Sequence, residues 1–127
     1  LTFQRIGLEA FEVFGQVIEP VLLKHGPRFE VLGFRIGNVA YCTDTNRIPP
    51  ESMEKLQGLD VLILDALRPE PHATHFSLDE AVAVARELKP KQTYFTHVSC
   101  YLEYEATNAK LPRGMALAYD GQRIPLT

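Results

Sequence analysis

Apolar and polar positions divide the chain into short extended runs and two clear helical segments. In the lead-in Leu1–Gly15, Phe11 and Val13, followed by Val17, alternate with polar or small residues as a half-buried strand does. Gln16–Lys24 reads as a strand interrupted at Pro20, which points to an edge position or a bulge because proline cannot donate to a ladder. His25-Gly26-Pro27 breaks that run. Phe29–Ile36 carries apolar residues on both faces and so predicts a strand buried from both sides. Gly37-Asn38 signals a hairpin into Val39–Thr43, which ends at Asp44.

The second half of the pattern changes character. Pro49-Pro50, ESMEKLQ and Gly58 predict a short helix with proline at its first position and glycine past its end. Leu59–Leu64 is a continuous apolar run, the mark of a buried parallel strand, and it ends at Asp65. Ser77 and Glu80 form a capping box for a helix whose Leu78, Ala81, Val82, Ala85 and Leu88 share one face, with Pro90 as its stop. Gln92–Thr96 is a strand that delivers His97, within the β-branched and aromatic run QTYFTHVSC. Beyond it the sequence predicts a helical turn over Leu102–Ala109. It then predicts a closing strand pair, Ala116–Ala118 and Arg123–Leu126, joined across Asp120-Gly121.

Strand, helix, strand, helix, strand from Val39 to His97 is a series of βαβ units and hence an α/β fold. Such units give parallel strands whose C-terminal ends share one edge of the sheet. Asp44, Asp65 and His97 are then expected to converge on that edge, where open α/β sheets bind their ligands. Every histidine of the chain lies in a loop or strand end predicted to face the same way.

Composition narrows the function. With 127 residues and 46% hydrophobic content the chain is long enough for one domain with a real core. Its longest apolar runs, Val61–Leu64 and Val21–Leu23, fall far short of the about 20 residues a spanning helix needs, so no membrane partner is expected. A net charge of −3 supplies no basic field, which makes nucleic acid an unlikely partner. Cys42 and Cys100 lack CxxC spacing and sit at predicted strand ends, a pattern of reduced, buried thiols in a cytoplasmic setting. The chain opens at Leu1 without an initiator methionine or a signal-like block, and the expectation is a processed or truncated product.

The candidate chemistry rests on six residues. Asp44 in YCTDTN either bridges cations or caps the following turn through Asn46. His25 ligates a metal or simply sits beside Gly26. His72 and His75, three apart in a proline-bounded loop, form a ligand or proton-donor pair, or a solvated loop. Asp65 and His97 close the set at strand ends. Imidazole and carboxylate without paired thiolates suit zinc, manganese or iron in hydrolysis.

In order and spacing, HGPRFEVLGFRIG, YCTDTN, LDVLILDAL, HATHFSLDEA and TYFTHVS resemble the C-terminal half of a metallo-β-lactamase-fold hydrolase. The resemblance is greatest to the phosphoribosyl cyclic phosphodiesterase group and more distant to the tRNA 3′-processing endonucleases. It implies that residues 1–127 supply the C-terminal half of an αββα sandwich. It also implies two divalent ions, zinc or manganese, with His25 on the first, Asp44 bridging both and His97 on the second. His75 is implied to act at the scissile phosphate and Asp65 to orient it. The resemblance assigns His72 no role.

The family's HxHxDH motif is nowhere in these residues. The chain alone is therefore expected to bind metal weakly and to turn over no substrate, the remaining ligands coming from a missing N-terminal half or a second chain. The implied substrate is a small-molecule phosphodiester. The alternatives are an RNA-processing endonuclease of the same fold, or a non-catalytic fragment or interaction domain. A half-sandwich also leaves an apolar sheet face uncovered, so self-association into a homo-oligomer is expected.

Overall fold

The computed structural model describes residues 1–125. Among these residues seven strands form one sheet in chain order, and three helices punctuate it. β1 (Phe11–Val13), β2 (Gln16–His25), β3 (Phe29–Ile36) and β4 (Val39–Cys42) are joined antiparallel by turns. α1 (Pro50–Lys55), β5 (Val61–Asp65), α2 (Leu78–Leu88) and β6 (Gln92–Thr96) follow, then α3 (Tyr104–Lys110) and β7 (Met115–Leu117). From β4 to β7 all pairings are parallel. Because β2 and β4 each pair antiparallel with β3, β2 runs in the same direction as the parallel group. The ends of β2, β4, β5 and β6 therefore share one edge.

The local signals act as the sequence predicts. Proline occupies the first turn of α1, where the absent N–H leaves no intrahelical bond unmade. The Ser77 hydroxyl accepts the Glu80 N–H while the Glu80 side chain accepts the Ser77 N–H, so the reciprocal box at α2 is complete. Pro20 lies beyond the three-residue pairing of β1 with β2, on the stretch where β2 has only β3 as a ladder partner, so its position is an edge one.

One sheet face carries the core. Val21, Leu23, Ala40, Cys42, Leu62, Leu64, Phe95 and Leu117 are buried with Leu56, Leu59, Ala81, Ala85 and Leu88 from the helical segments. Gly33 lets β3 into this layer: a Cβ there would meet the Tyr41 carbonyl at 2.8 Å and Leu23 Cδ1 at 3.0 Å. On the opposite face Phe34, Tyr41, Ile63 and Tyr94 lie side by side in register, and Tyr41 is 50% exposed. The described residues thus form one sheet layer with one helical layer, an α/β arrangement.

Five expectations change. β3 is not buried from both sides; Gly33 is its one buried residue, since only one face has helices over it. The alternation of Phe11, Val13 and Val17 spans a turn at Phe14-Gly15 rather than one strand. Among the described residues the closing hairpin has no second strand. Met115–Leu117 pairs parallel with β6, which gains a neighbour for its open edge, residues 123–125 form no strand, and Leu126 lies outside the described residues. Cys100 is not at a strand end, because β6 stops at Thr96 and Cys100 is exposed in the following turn. The last helix begins at Tyr104 rather than Leu102, capped by the Glu103 carboxylate.

The two thiols are therefore chemically unlike. Burial, and then the nearby Asp65, push the Cys42 thiol up to about 12. With a thiol reagent in mildly alkaline buffer we expect one equivalent, at Cys100, to react in the folded protein and the second only after denaturation. Two equally fast equivalents under native conditions would contradict this packing.

Candidate functional site

The site is assembled at the shared edge by two strained turns. Asp44 and His97 follow the ends of β4 and β6, and both adopt a left-handed backbone at φ 60°. Non-glycine residues rarely accept that conformation, and structures that hold it concentrate at functional positions. Here it turns the two side chains toward each other, with His97 Nε2 3.5 Å from Asp44 Oδ1. Among the described residues the Asp44 carboxylate makes no capping bond to Asn46.

Asp65, at the end of β5 between those strands, is fully buried. Its Oδ2 accepts the Thr45 N–H at 3.3 Å and lies 3.1 Å from His75 Nδ1. Its Oδ1 is buried and, among the described residues, has no partner. Desolvation dominates over the Thr45 bond and raises the carboxyl to about 7. His75 moves the other way, lowered by burial and by the neighbouring His97 and His25.

The imidazoles are continuous around His75. Its ring stacks on His97 at 4.6 Å and meets His25 edge-on at 5.1 Å and His72 at 5.4 Å. Asp44, His75 and His97 each offer a ligand atom within 4.8 Å of the others, a donor set of imidazole and carboxylate that fits a divalent ion such as zinc or manganese. His25 stands outside that trio, but its Nδ1 is buried with no partner, as a nitrogen that serves a ligand would be. All six residues singled out from the sequence thus come to one edge, and His75 falls among the metal-competent groups as well as against Asp65.

Two positioning residues carry no chemical signature in the sequence. Thr45 is buried, and its hydroxyl lies 2.7 Å from the Lys24 carbonyl and 2.9 Å from that of Arg47, tying the end of β2 to the turn after β4. Asn46 accepts the Gly26 N–H at 2.8 Å and donates to the Ala73 carbonyl at 3.2 Å, so it holds the histidine loop over the β2 turn. Gly26 permits that contact: at φ 77° a Cβ would meet Thr74 Cγ2 at 2.9 Å. The side chain beside Asp44 that reads as a turn former is instead a clamp between three segments.

The raised carboxyl has a measurable consequence. A group whose pKa is higher folded than unfolded contributes stability below its unfolded value and loses it as pH rises through the folded one. For Asp65 that window runs from 3.8 to about 7. In chelator, the unfolding temperature of Asp65→Asn should gain progressively on that of the wild type across this window. A gap between the two proteins that does not change with pH would contradict the assignment.

The comparisons agree with this architecture. A family model described as "Beta-lactamase superfamily domain" matches residues 6–98. A crystal structure described as a new diphosphatase from the PhnP family has 51% sequence identity and a TM-score of 0.92 over 94% of this chain, and the chain spans 46% of that protein. The short form of human tRNase Z shares the fold at 21% identity and a TM-score of 0.68, over 91% of this chain and 46% of the other. An octanoyltransferase of Porphyromonas gingivalis is 27% identical over 113 residues, 87% of this chain and 23% of that protein. The chain thus spans less than half the length of each of these three. With the family model covering most of the described sheet and the strand-end residues gathered as above, this chain belongs to the β-lactamase superfamily and has the metallo-β-lactamase fold.

Proposed function

We propose that this chain is the C-terminal part of a metal-dependent hydrolase that cleaves phosphodiester bonds in small cyclic or sugar phosphates. The convergence of Asp44, His75 and His97 at one sheet edge, with buried Asp65 behind His75, carries the reading. A pair of divalent ions, zinc or manganese, would be held by His25, Asp44 and His97, Asp44 being shared between them; when bound, they supply Lewis-acid stabilisation of phosphoryl charge. With Asp44 shared, the chain offers each ion two ligands, fewer than the three or four usual for zinc. The others belong to an HxHxDH segment in a missing N-terminal half or on a second chain, a reading supported by the 46% coverage of the diphosphatase.

The remaining chemistry belongs to the Asp65–His75 pair. Nδ1 of His75 is engaged by Asp65, which leaves Nε2 as the ring's working edge. When Asp65 is protonated it donates to Nδ1, and the His75 proton then resides on Nε2, placed to be given to a departing oxygen. When Asp65 is ionised, Nδ1 holds the proton and Nε2 accepts. A carboxyl at about 7 lets the pair change between these states near neutrality.

A second reading, cleavage of a diphosphate, is favoured by the 51% identity to a diphosphatase. RNA processing has less support: the net charge is −3, and the likeness to tRNase Z concerns the fold alone. The polypeptide carrying both this chain and an HxHxDH segment should hydrolyse bis(p-nitrophenyl) phosphate with added manganese or zinc. His97→Ala should lower kcat/KM by at least roughly 10- to 100-fold. Absence of product under either metal would count decisively against the proposal.

A further inference from the structure

His72 has no part in the scheme above, yet the fold fixes it more firmly than a solvated loop residue requires. Its Nδ1 accepts the Thr74 backbone N–H at 3.2 Å, and the Thr74 hydroxyl lies at the same distance. A backbone N–H only donates, so Nδ1 carries no proton and the ring proton resides on Nε2. The surrounding loop is braced at both ends. Arg68 donates to the carbonyls of Glu70 and Pro71 at 3.3 and 2.8 Å, and Asn46 holds the Ala73 carbonyl.

That bracing places the His72 ring 5.4 Å from the ring of His75, at the end of the imidazole wall that continues through His97. Among the described residues, His72 Nε2–H makes no hydrogen bond to protein. A fixed-tautomer donor without a protein acceptor among the described residues, beside His75, is equipped for an anionic oxygen.

We propose that His72 contacts the substrate directly, its Nε2–H donating to a phosphoryl oxygen of the group held at His75. This rests on the phosphorus-centred reading and adds to it a determinant of anion binding. Two substitutions separate the role from that of a loop brace. Asn at position 72 keeps an acceptor for the Thr74 N–H, as in an Asx turn, and lacks the distal donor. Gln reaches the distal position with an N–H and lacks the near acceptor.

The test is a titration of the ¹⁵N-labelled chain with inorganic phosphate, with and without one equivalent of zinc, followed in imidazole long-range ¹H–¹⁵N spectra. His72 should appear as the Nε2–H tautomer, and phosphate should move its Nε2 signals. Phosphate affinity should fall roughly tenfold in His72→Ala and His72→Asn and recover in His72→Gln. An Nδ1–H tautomer, an unmoved His72 while the other site histidines respond, or recovery in His72→Asn instead of His72→Gln would overturn the role. Diester hydrolysis, scored separately, keeps the failures apart: hydrolysis with an unresponsive His72 removes this role alone, and phosphate that moves no site histidine removes the role together with the reading beneath it.

Discussion

The buried carboxylate of Asp65 is the interaction on which the rest of the site depends. It lies at the end of the central parallel strand, holds the Thr45 N–H on one side and His75 on the other, and has one oxygen with no partner. An ionised group so placed is costly, and the same oxygen joins two segments of the site. One is the turn after β4 that carries Asp44. The other is the loop before α2 that carries His72 and His75. Phe76 N–H to the Thr45 carbonyl, at 2.9 Å, adds a main-chain tie between them.

From that brace the geometry spreads outward through strain and close approach. Asp44 and His97 sit at φ 60°, a conformation they keep because parallel neighbours on both sides of β5 fix where each strand ends. Gly26 and Asn46 bring the end of β2, and with it His25, under the same loop. The fold therefore delivers His25, Asp44, Asp65, His72, His75 and His97 to one edge while leaving the second sheet face partly exposed.

Much of this was legible in the residues because the informative signals were local. Period, capping box, Pro49-Pro50 and the apolar run before Asp65 specify β5, α1 and α2 from neighbouring residues alone, and parallel strands then force their ends onto one edge. What escaped was non-local. The open edge of β6 is met by Met115–Leu117, paired parallel from beyond α3, a match that no local turn signal announces. Asn46 reads as a turn former, yet it clamps residues twenty and more positions away. Short polar side chains serve both uses, and only tertiary structure decides between them.

The central claim is that the Asp44 and His97 turns create a divalent-cation site at this edge. The most direct test is a zinc titration of the isolated chain followed through its histidine side-chain resonances, repeated with Asp44→Ala. Zinc should bind weakly and saturably, move His97, and bind at least roughly tenfold less tightly once Asp44 is removed. Zinc that leaves His97 unmoved, or that binds both proteins equally well, would contradict the claim.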